Sequence, residues 1–132
     1  MSEQKFRNRV IRELRPLDAV SVENPAFPGT PDVNYIEGWV ELKWLRAWPA
    51  DANTPVRLEH YTQQQRVWAT RRRHRGGRCF LLLQVQDEYL LFDGRTAAEV
   101  LGHSTREALE EHAIQVWKGG MKWHELKQRL QV

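Results

Sequence analysis

The sequence lacks the features that mark disulfide-rich, membrane-spanning or secreted proteins. Among its 132 residues there is one cysteine, Cys79, which excludes an internal disulfide. No apolar run is long enough to span a membrane, and residues 1–5 do not begin a signal peptide. At 41% hydrophobic residues, the sequence predicts a single soluble, cytoplasmic domain that buries a core, with Cys79 inside it.

The net charge is also small, although the basic residues are mostly of one type. The formal net charge is only +3, yet fifteen of the twenty basic residues are arginine. Because the planar guanidinium binds phosphate through two parallel hydrogen bonds, this bias favours a nucleic-acid partner. The nucleotide composition of the encoding genome is the alternative explanation for any single arginine.

What is present is a pattern of acidic and basic residues in the first third of the chain. A Pro-Asp pair ends at Asp32, and Glu-Leu-Lys follows at residues 41–43. Residues 39–45 alternate in the way typical of a strand, so Glu41 and Lys43 share one face while the apolar residues between them face a core. A pair of solvated surface charges is the alternative reading of Glu41 and Lys43.

A short hairpin would bring the two acidic residues together. Residues 33–36 form a predicted strand, and Glu37 with Gly38 forms a predicted turn, since glycine accepts a positive φ. This pairing puts Asp32 near Glu41, where one hard cation would accept oxygen from both carboxylates and from the Leu42 carbonyl. Mg²⁺ or Mn²⁺ suits such an all-oxygen site best, and the chain has no ligand set typical of zinc.

A helix is predicted from residue 61 or 62 to Arg75, with Gly76 and Gly77 ending it. Gln65 lies on its aromatic stripe, which favours an active-site edge over a solvated position. The second half of the helix is strongly basic. Its cations complement the helix dipole and also suit phosphate. The predicted nucleic-acid contacts in and next to this helix are Arg66, Arg71, Arg72, Arg73, Arg75 and Arg78, and Arg46 is a further one in the segment that follows the strand of Lys43.

The other elements complete an α/β pattern. A first helix is predicted over residues 2–15, a strand over 19–23, an irregular segment over 45–60, and strands over 79–85 and 89–92 with a turn at Asp87 and Glu88. After Gly94 the pattern predicts three helices, over residues 96–101, 104–117 and 121–130. The sequence thus predicts a central sheet flanked by helices.

These motifs resemble the PD-(D/E)XK nuclease superfamily, and within it the VRR-type branch, which is similar to Holliday-junction resolvases and common in bacteriophage genomes. The resemblance covers residues 3–94 and rests on Gly-Thr-Pro-Asp at 29–32, Glu-Leu-Lys at 41–43 and Thr-Gln-Gln-Gln-Arg at 62–66. It implies a restriction-endonuclease-like core of order αβββαβ with a central mixed sheet. Residues 95–132 would be a helical extension of the same domain.

The resemblance also implies roles for individual residues. Asp32 and Glu41 would bind Mg²⁺ or Mn²⁺, Lys43 would position the reacting water and phosphate, and Gln65 would support the site. A glutamate on the first helix often completes the metal site in this family, which makes Glu3 the candidate. Glu13 is the second candidate on that helix, and Glu23 is a further one near the site.

The predicted function is that of a metal-dependent DNA endonuclease in phage replication, recombination or packaging. A junction or a flap is one candidate substrate, and the sequence leaves duplex, single strand and RNA open as well. A homodimer is expected by analogy with junction-resolving relatives. No membrane partner and no small-molecule cofactor is predicted. The alternatives are a catalytically inactive nuclease-fold protein that binds DNA, and an interaction protein whose arginines meet an acidic protein partner.

Overall fold

The computed structural model describes residues 2–132 and has an α/β fold built on one six-stranded mixed sheet. Five α-helices and one 3-10 turn at Arg15–Leu17 accompany the strands in that described part of the chain. In chain order the elements are α1 (Glu3–Glu13), β1 (Val20–Ser21), β2 (Val33–Tyr35), β3 (Gly38–Leu45), α2 (Gln63–His74), β4 (Arg78–Val85), β5 (Glu88–Asp93), α3 (Gly94–Val100), α4 (Arg106–His112), β6 (Gln115–Trp117) and α5 (Trp123–Leu130).

The strands lie in the sheet in the order of the chain. Every neighbouring pair is antiparallel except β3 and β4, which are parallel because α2 makes the crossover between them. β4 is buried along nearly its whole length, as its continuous apolar sequence requires for a strand covered on both faces. Cys79 lies in this strand and is buried, as predicted, and burial raises the pKa of its thiol to about 12.

Helices cover both faces of the sheet, and the two faces separate the side chains of β3. Val40 and Leu42 pack with residues of α1 and α5, of which Phe6 and Leu130 are almost fully buried. Glu41 and Lys43 point to the other face, which α2, α3 and α4 cover. The charged pair is therefore buried rather than in open solvent.

The predicted α/β class and the order αβββαβ are confirmed. Two predicted turns were each one residue too late. The first turn is at residues 36 and 37, with Tyr35 paired to Gly38, and the second is at residues 86 and 87, where Gln86 has a φ of 57°. Gly38 is needed for another reason than a positive φ: a Cβ there would collide with the backbone of Arg78 on β4.

The prediction of helix over residues 104–117 was wrong in its second half. α4 ends at His112, and Gln115–Trp117 forms β6, which pairs with β5 from Tyr89 to Leu91. A short apolar run fits a helix or a strand equally well in the sequence, and the open edge of β5 decides the outcome because its backbone groups need partners. The C-terminal third thus extends the central sheet.

None of the helices within residues 2–132 has the length and apolar character needed to cross a membrane.

Candidate active site

Asp32 lies where one edge of β3 becomes free. β2 begins at Val33, which pairs with Val40, so that residues 41–45 of β3 have β4 on one side and no strand of β2 on the other. The register continues to place Asp32 opposite Glu41. Asp32 Oδ2 accepts a hydrogen bond of 2.9 Å from the Leu42 N–H, and this bond fixes the carboxylate against the edge. A turn at residues 37 and 38 would instead have put Asp32 opposite Lys43.

Glu41 is a buried acid beside a second acid. Its exposed fraction is 5%, and the strand register places it directly opposite Asp32. Burial is the main cause that raises the pKa of Glu41 well above its usual value, and the Asp32 carboxyl raises it further. Lys43 and the Leu42 N–H act in the opposite direction. Two carboxyl groups held this close favour either a shared proton or a cation between them.

Lys43 is buried next to this pair, with an exposed fraction of 6%. Its Nζ donates a hydrogen bond of 3.0 Å to the His60 carbonyl and lies 5.6 Å from the centre of the Tyr61 ring. The irregular segment that ends at Tyr61 therefore folds back over the strand that carries Lys43. The structure thus places Asp32, Glu41 and Lys43 close together at this part of β3.

Arg7 belongs to the site, and sequence reasoning missed it. Its Nη2 donates to Asp32 Oδ1 at 2.6 Å, and both side chains are about one-fifth exposed, at 23% and 19%. The neighbouring Phe6, at 1% exposure, anchors α1 on the sheet and so brings Arg7 to its edge. The contact joins residues 25 positions apart, and no local pattern marks it.

The donor set fits a hard divalent cation. The N–H and C=O of one strand residue point to the same side, so the Leu42 carbonyl faces the edge at which its N–H meets Asp32. In residues 2–132 no group of three or more His, Cys, Asp or Glu side chains is arranged to hold a metal. Two carboxylates and a carbonyl suit Mg²⁺, which usually keeps several waters and takes further oxygens from a phosphate.

Gln65 lies beside the loop that leads to Asp32, but one of its polar atoms is already used. Its Oε1 accepts the Thr62 N–H at 2.9 Å, while its own N–H donates to Thr62 Oγ1 at 3.2 Å. This is a reciprocal cap of α2, and Thr-x-x-Gln is the sequence signature that indicates it. A structural role of Gln65 is thus evident beside its predicted role in catalysis.

Of the three further glutamates, Glu3 is the one that shares a cleft with Lys43. It is exposed at the start of α1 and lines a cleft of about 370 Å³ together with Lys43, Arg46, Arg57 and His60. Glu13 is ten residues further along the same helix, which is about 15 Å. Glu23 is exposed beyond the end of β1. The cleft gives a substrate a route to Lys43.

The arginines predicted to bind nucleic acid differ in how far the fold itself already contacts or buries them. Arg66, Arg72 and Arg73 contact the fold itself, through the Ala98 carbonyl at 2.8 Å, the Trp68 ring at 4.2 Å and the Asp93 carboxylate. Arg78 is half-buried on β4. The remaining arginines, Arg46, Arg71 and Arg75, are exposed.

No protein-family model matches the chain, and no curated protein is significantly similar to it.

Proposed function

We propose that this protein is a Mg²⁺- or Mn²⁺-dependent DNA endonuclease of the PD-(D/E)XK type. The observation that carries the proposal is the β2–β3 register, which places Asp32 opposite the buried Glu41 at the open edge of β3, where Asp32 also accepts the Leu42 N–H. A buried carboxyl held beside a second carboxyl, as Glu41 is beside Asp32, is costly for an ordinary fold. The same arrangement is what metal-assisted phosphodiester hydrolysis requires.

In this proposal each residue of the site would have a separate role. Asp32, Glu41 and the Leu42 carbonyl would hold the cation, which when bound would lower the pKa of a water and neutralise phosphate charge. Lys43 would orient the attacking water or stabilise the charge that develops on the phosphate. Arg7 keeps Asp32 in place at the edge, and its charge would also attract the phosphate. Products with 5′-phosphate and 3′-hydroxyl ends are expected from the resemblance.

The substrate would be read by shape, at a junction or a flap, and a phage function in replication, recombination or packaging follows from the resemblance. The exposed arginines near the site, Arg46 and Arg71, would contact the DNA backbone.

The test is cleavage of labelled four-way junction, flap, duplex and single-stranded DNA in Mg²⁺, Mn²⁺ or EDTA. The wild type is compared with Asp32→Ala and Asp32→Asn, the second of which keeps an acceptor for the Leu42 N–H. Glu111→Gln serves as the control, since Glu111 is an exposed carboxylate on α4. We expect cleavage that requires metal and falls by at least about 10²–10³-fold in both Asp32 variants.

Undiminished cleavage by folded Asp32→Asn would refute the site. DNA binding without cleavage by the wild type would favour the inactive DNA-binding protein instead. Absence of DNA binding at low salt would favour an acidic protein partner for the arginines.

A further inference from the structure

A second surface lies next to the candidate active site and has no part in the mechanism above. It is a groove of about 490 Å³ between the loop at residues 26–28 and the first two turns of α2. We refer to it as the loop–helix groove. Its lining consists of Ala26, Phe27, Pro28, Gln63, Gln64, Val67, Trp68 and Arg71.

The groove exposes unusually large apolar side chains. Phe27 is 66% exposed and Val67 is 49% exposed, on opposite walls, while the floor includes the buried Trp68. An exposed phenylalanine costs solubility and gives the fold no packing energy. Such a residue beside a candidate catalytic site favours a contact with a ligand.

The backbone of the loop holds Phe27 in this position. The Phe27 carbonyl accepts the Thr30 hydroxyl at 2.7 Å, and the Phe27 N–H donates to the Asn24 carbonyl at 3.2 Å. Gly29 has a φ of 95° and lies so close to α2 that a Cβ would collide with the Gln64 carbonyl. The two walls of the groove are therefore fixed against each other before a ligand arrives, which lowers the entropy cost of binding.

The chemistry of the lining favours one class of occupant. Aromatic and apolar walls suit the face of a nucleobase, and the amides of Gln63 and Gln64 suit its polar edge. The only charged residue in the lining is Arg71, an exposed cation that complements a phosphate. Asp32 follows Phe27 by five residues on the same loop, so a base held here belongs to a nucleotide near the scissile bond.

We propose that the loop–helix groove binds one unpaired nucleotide of the substrate, with its base stacked on Phe27 and its phosphate near Arg71. This inference rests on the proposed function for the identity of the partner. It makes single-stranded character beside the cut a requirement for tight binding, and it thereby selects flaps, ends or opened junctions over plain duplex.

The test measures binding in EDTA, where no cleavage occurs, to a single-stranded oligonucleotide carrying one 2-aminopurine and to a duplex of the same length. The variants are Phe27→Ala, Phe27→Trp and the control Ile36→Ala, which removes a residue of 70% exposure at the β2–β3 turn. Stacking is expected to quench the fluorophore. Phe27→Ala should weaken single-strand binding by about tenfold, as for the loss of one stacked base, and leave duplex binding within about twofold. Phe27→Trp and Ile36→Ala should bind like the wild type.

Equal single-strand affinity of Phe27→Ala and wild type, or an equal loss on single strand and duplex, would overturn the inference. A lower oligomeric state of Phe27→Ala in sedimentation, without a change in DNA affinity, would overturn it in favour of an interface between copies. Parallel cleavage assays in Mg²⁺ separate the two proposals. Failure of the wild type to cut any DNA, with Phe27-dependent binding retained, would refute the nuclease and leave the nucleotide site standing.

Discussion

Two charged regions of this protein differ in how their charges are satisfied. At the free edge of β3, Asp32 and Glu41 lie opposite each other, and Glu41 is buried with a raised pKa. In the C-terminal half of α2 the arginines are more numerous, yet Arg72 lies on the Trp68 ring and Arg73 on the Asp93 carboxylate. The end of α2 therefore has more charges than the edge of β3, but contacts within the fold already pair some of them.

The difference teaches that a buried acid held beside a second acid indicates a site better than a larger cluster of paired charges does. Arg73 Nε donates to Asp93 Oδ2 at 2.6 Å, and its guanidinium lies 5.0 Å from the Phe80 ring centre. These contacts account for Arg73 without any ligand. Asp32 has one such partner, Arg7, whereas the buried Glu41 carboxyl lies beside the Asp32 carboxyl, which opposes its ionisation.

The largest expected effect follows from removing the ammonium at the edge of β3. Lys43→Met keeps the length of the side chain and removes its charge, so we expect DNA cleavage to fall by about 10²–10³-fold with the fold retained. Lys118→Met is the matched control, because Lys118 is an exposed lysine whose Nζ pairs with Glu110 at 3.0 Å. Circular dichroism checks the fold. Wild-type cleavage rates in Lys43→Met would show that this buried charge is structural and would remove the distinction between the two regions.

A smaller effect is expected from the arginine region, and on stability rather than chemistry. Arg73→Met loses the half-buried contacts to Asp93 and the Gly77 carbonyl, which we expect to lower the free energy of unfolding by about 1–2 kcal/mol. Arg75→Met, at an exposed position two residues on, should change it by less than about 0.5 kcal/mol. Urea unfolding measures both variants.

DNA binding of Arg73→Met and Arg75→Met is a second test of the difference between paired and exposed arginines. Arg75→Met should reduce the slope of log affinity against log salt by about 1 if Arg75 contacts a phosphate, whereas Arg73→Met should leave the slope unchanged. A reduced slope in Arg73→Met with unchanged unfolding would mean that the structural pairing of this arginine is unimportant.

The smallest effect concerns the pH dependence of the metal-free protein. The pKa of Glu41 is higher in the folded chain than in the unfolded chain, chiefly because of burial. Its contribution to stability is therefore fully present below the unfolded pKa and is lost as the pH rises through the folded pKa. Glu41→Gln removes this loss, so in EDTA its Tm should exceed that of the wild type by a few degrees at pH 8 and by less at pH 5.

Mg²⁺ should reverse the order of the Tm values of the wild type and Glu41→Gln. Mg²⁺ at about 100 times its Kd adds about 2.7 kcal/mol to a protein that binds it only when folded, and we expect this gain in the wild type but not in Glu41→Gln. Thermal unfolding with and without Mg²⁺ makes the comparison. A Tm of Glu41→Gln below that of the wild type in EDTA at pH 8 would contradict the destabilising role of this carboxylate.

Sequence patterns determined much of this protein because the relevant forces are local. The period of two at residues 39–45 predicted a strand with Glu41 and Lys43 on one face, and the glycines at 76 and 77 predicted the end of α2. The apolar run from Cys79 predicted a central buried strand. Each of these depends on residues within one turn or one strand of each other.

Tertiary structure alone decided the rest. Arg7 meets Asp32 only because Phe6 packs α1 on the sheet, and Gln115–Trp117 become a strand only because β5 offers an open edge. Likewise, Trp68 and Asp93 bind Arg72 and Arg73, and the basic run by itself does not show which arginines have such partners. Such outcomes depend on partners distant in the chain, whose positions are fixed only when the core has packed. Local sequence therefore specified most of the elements, and long-range packing specified which charged side chains pair within the fold.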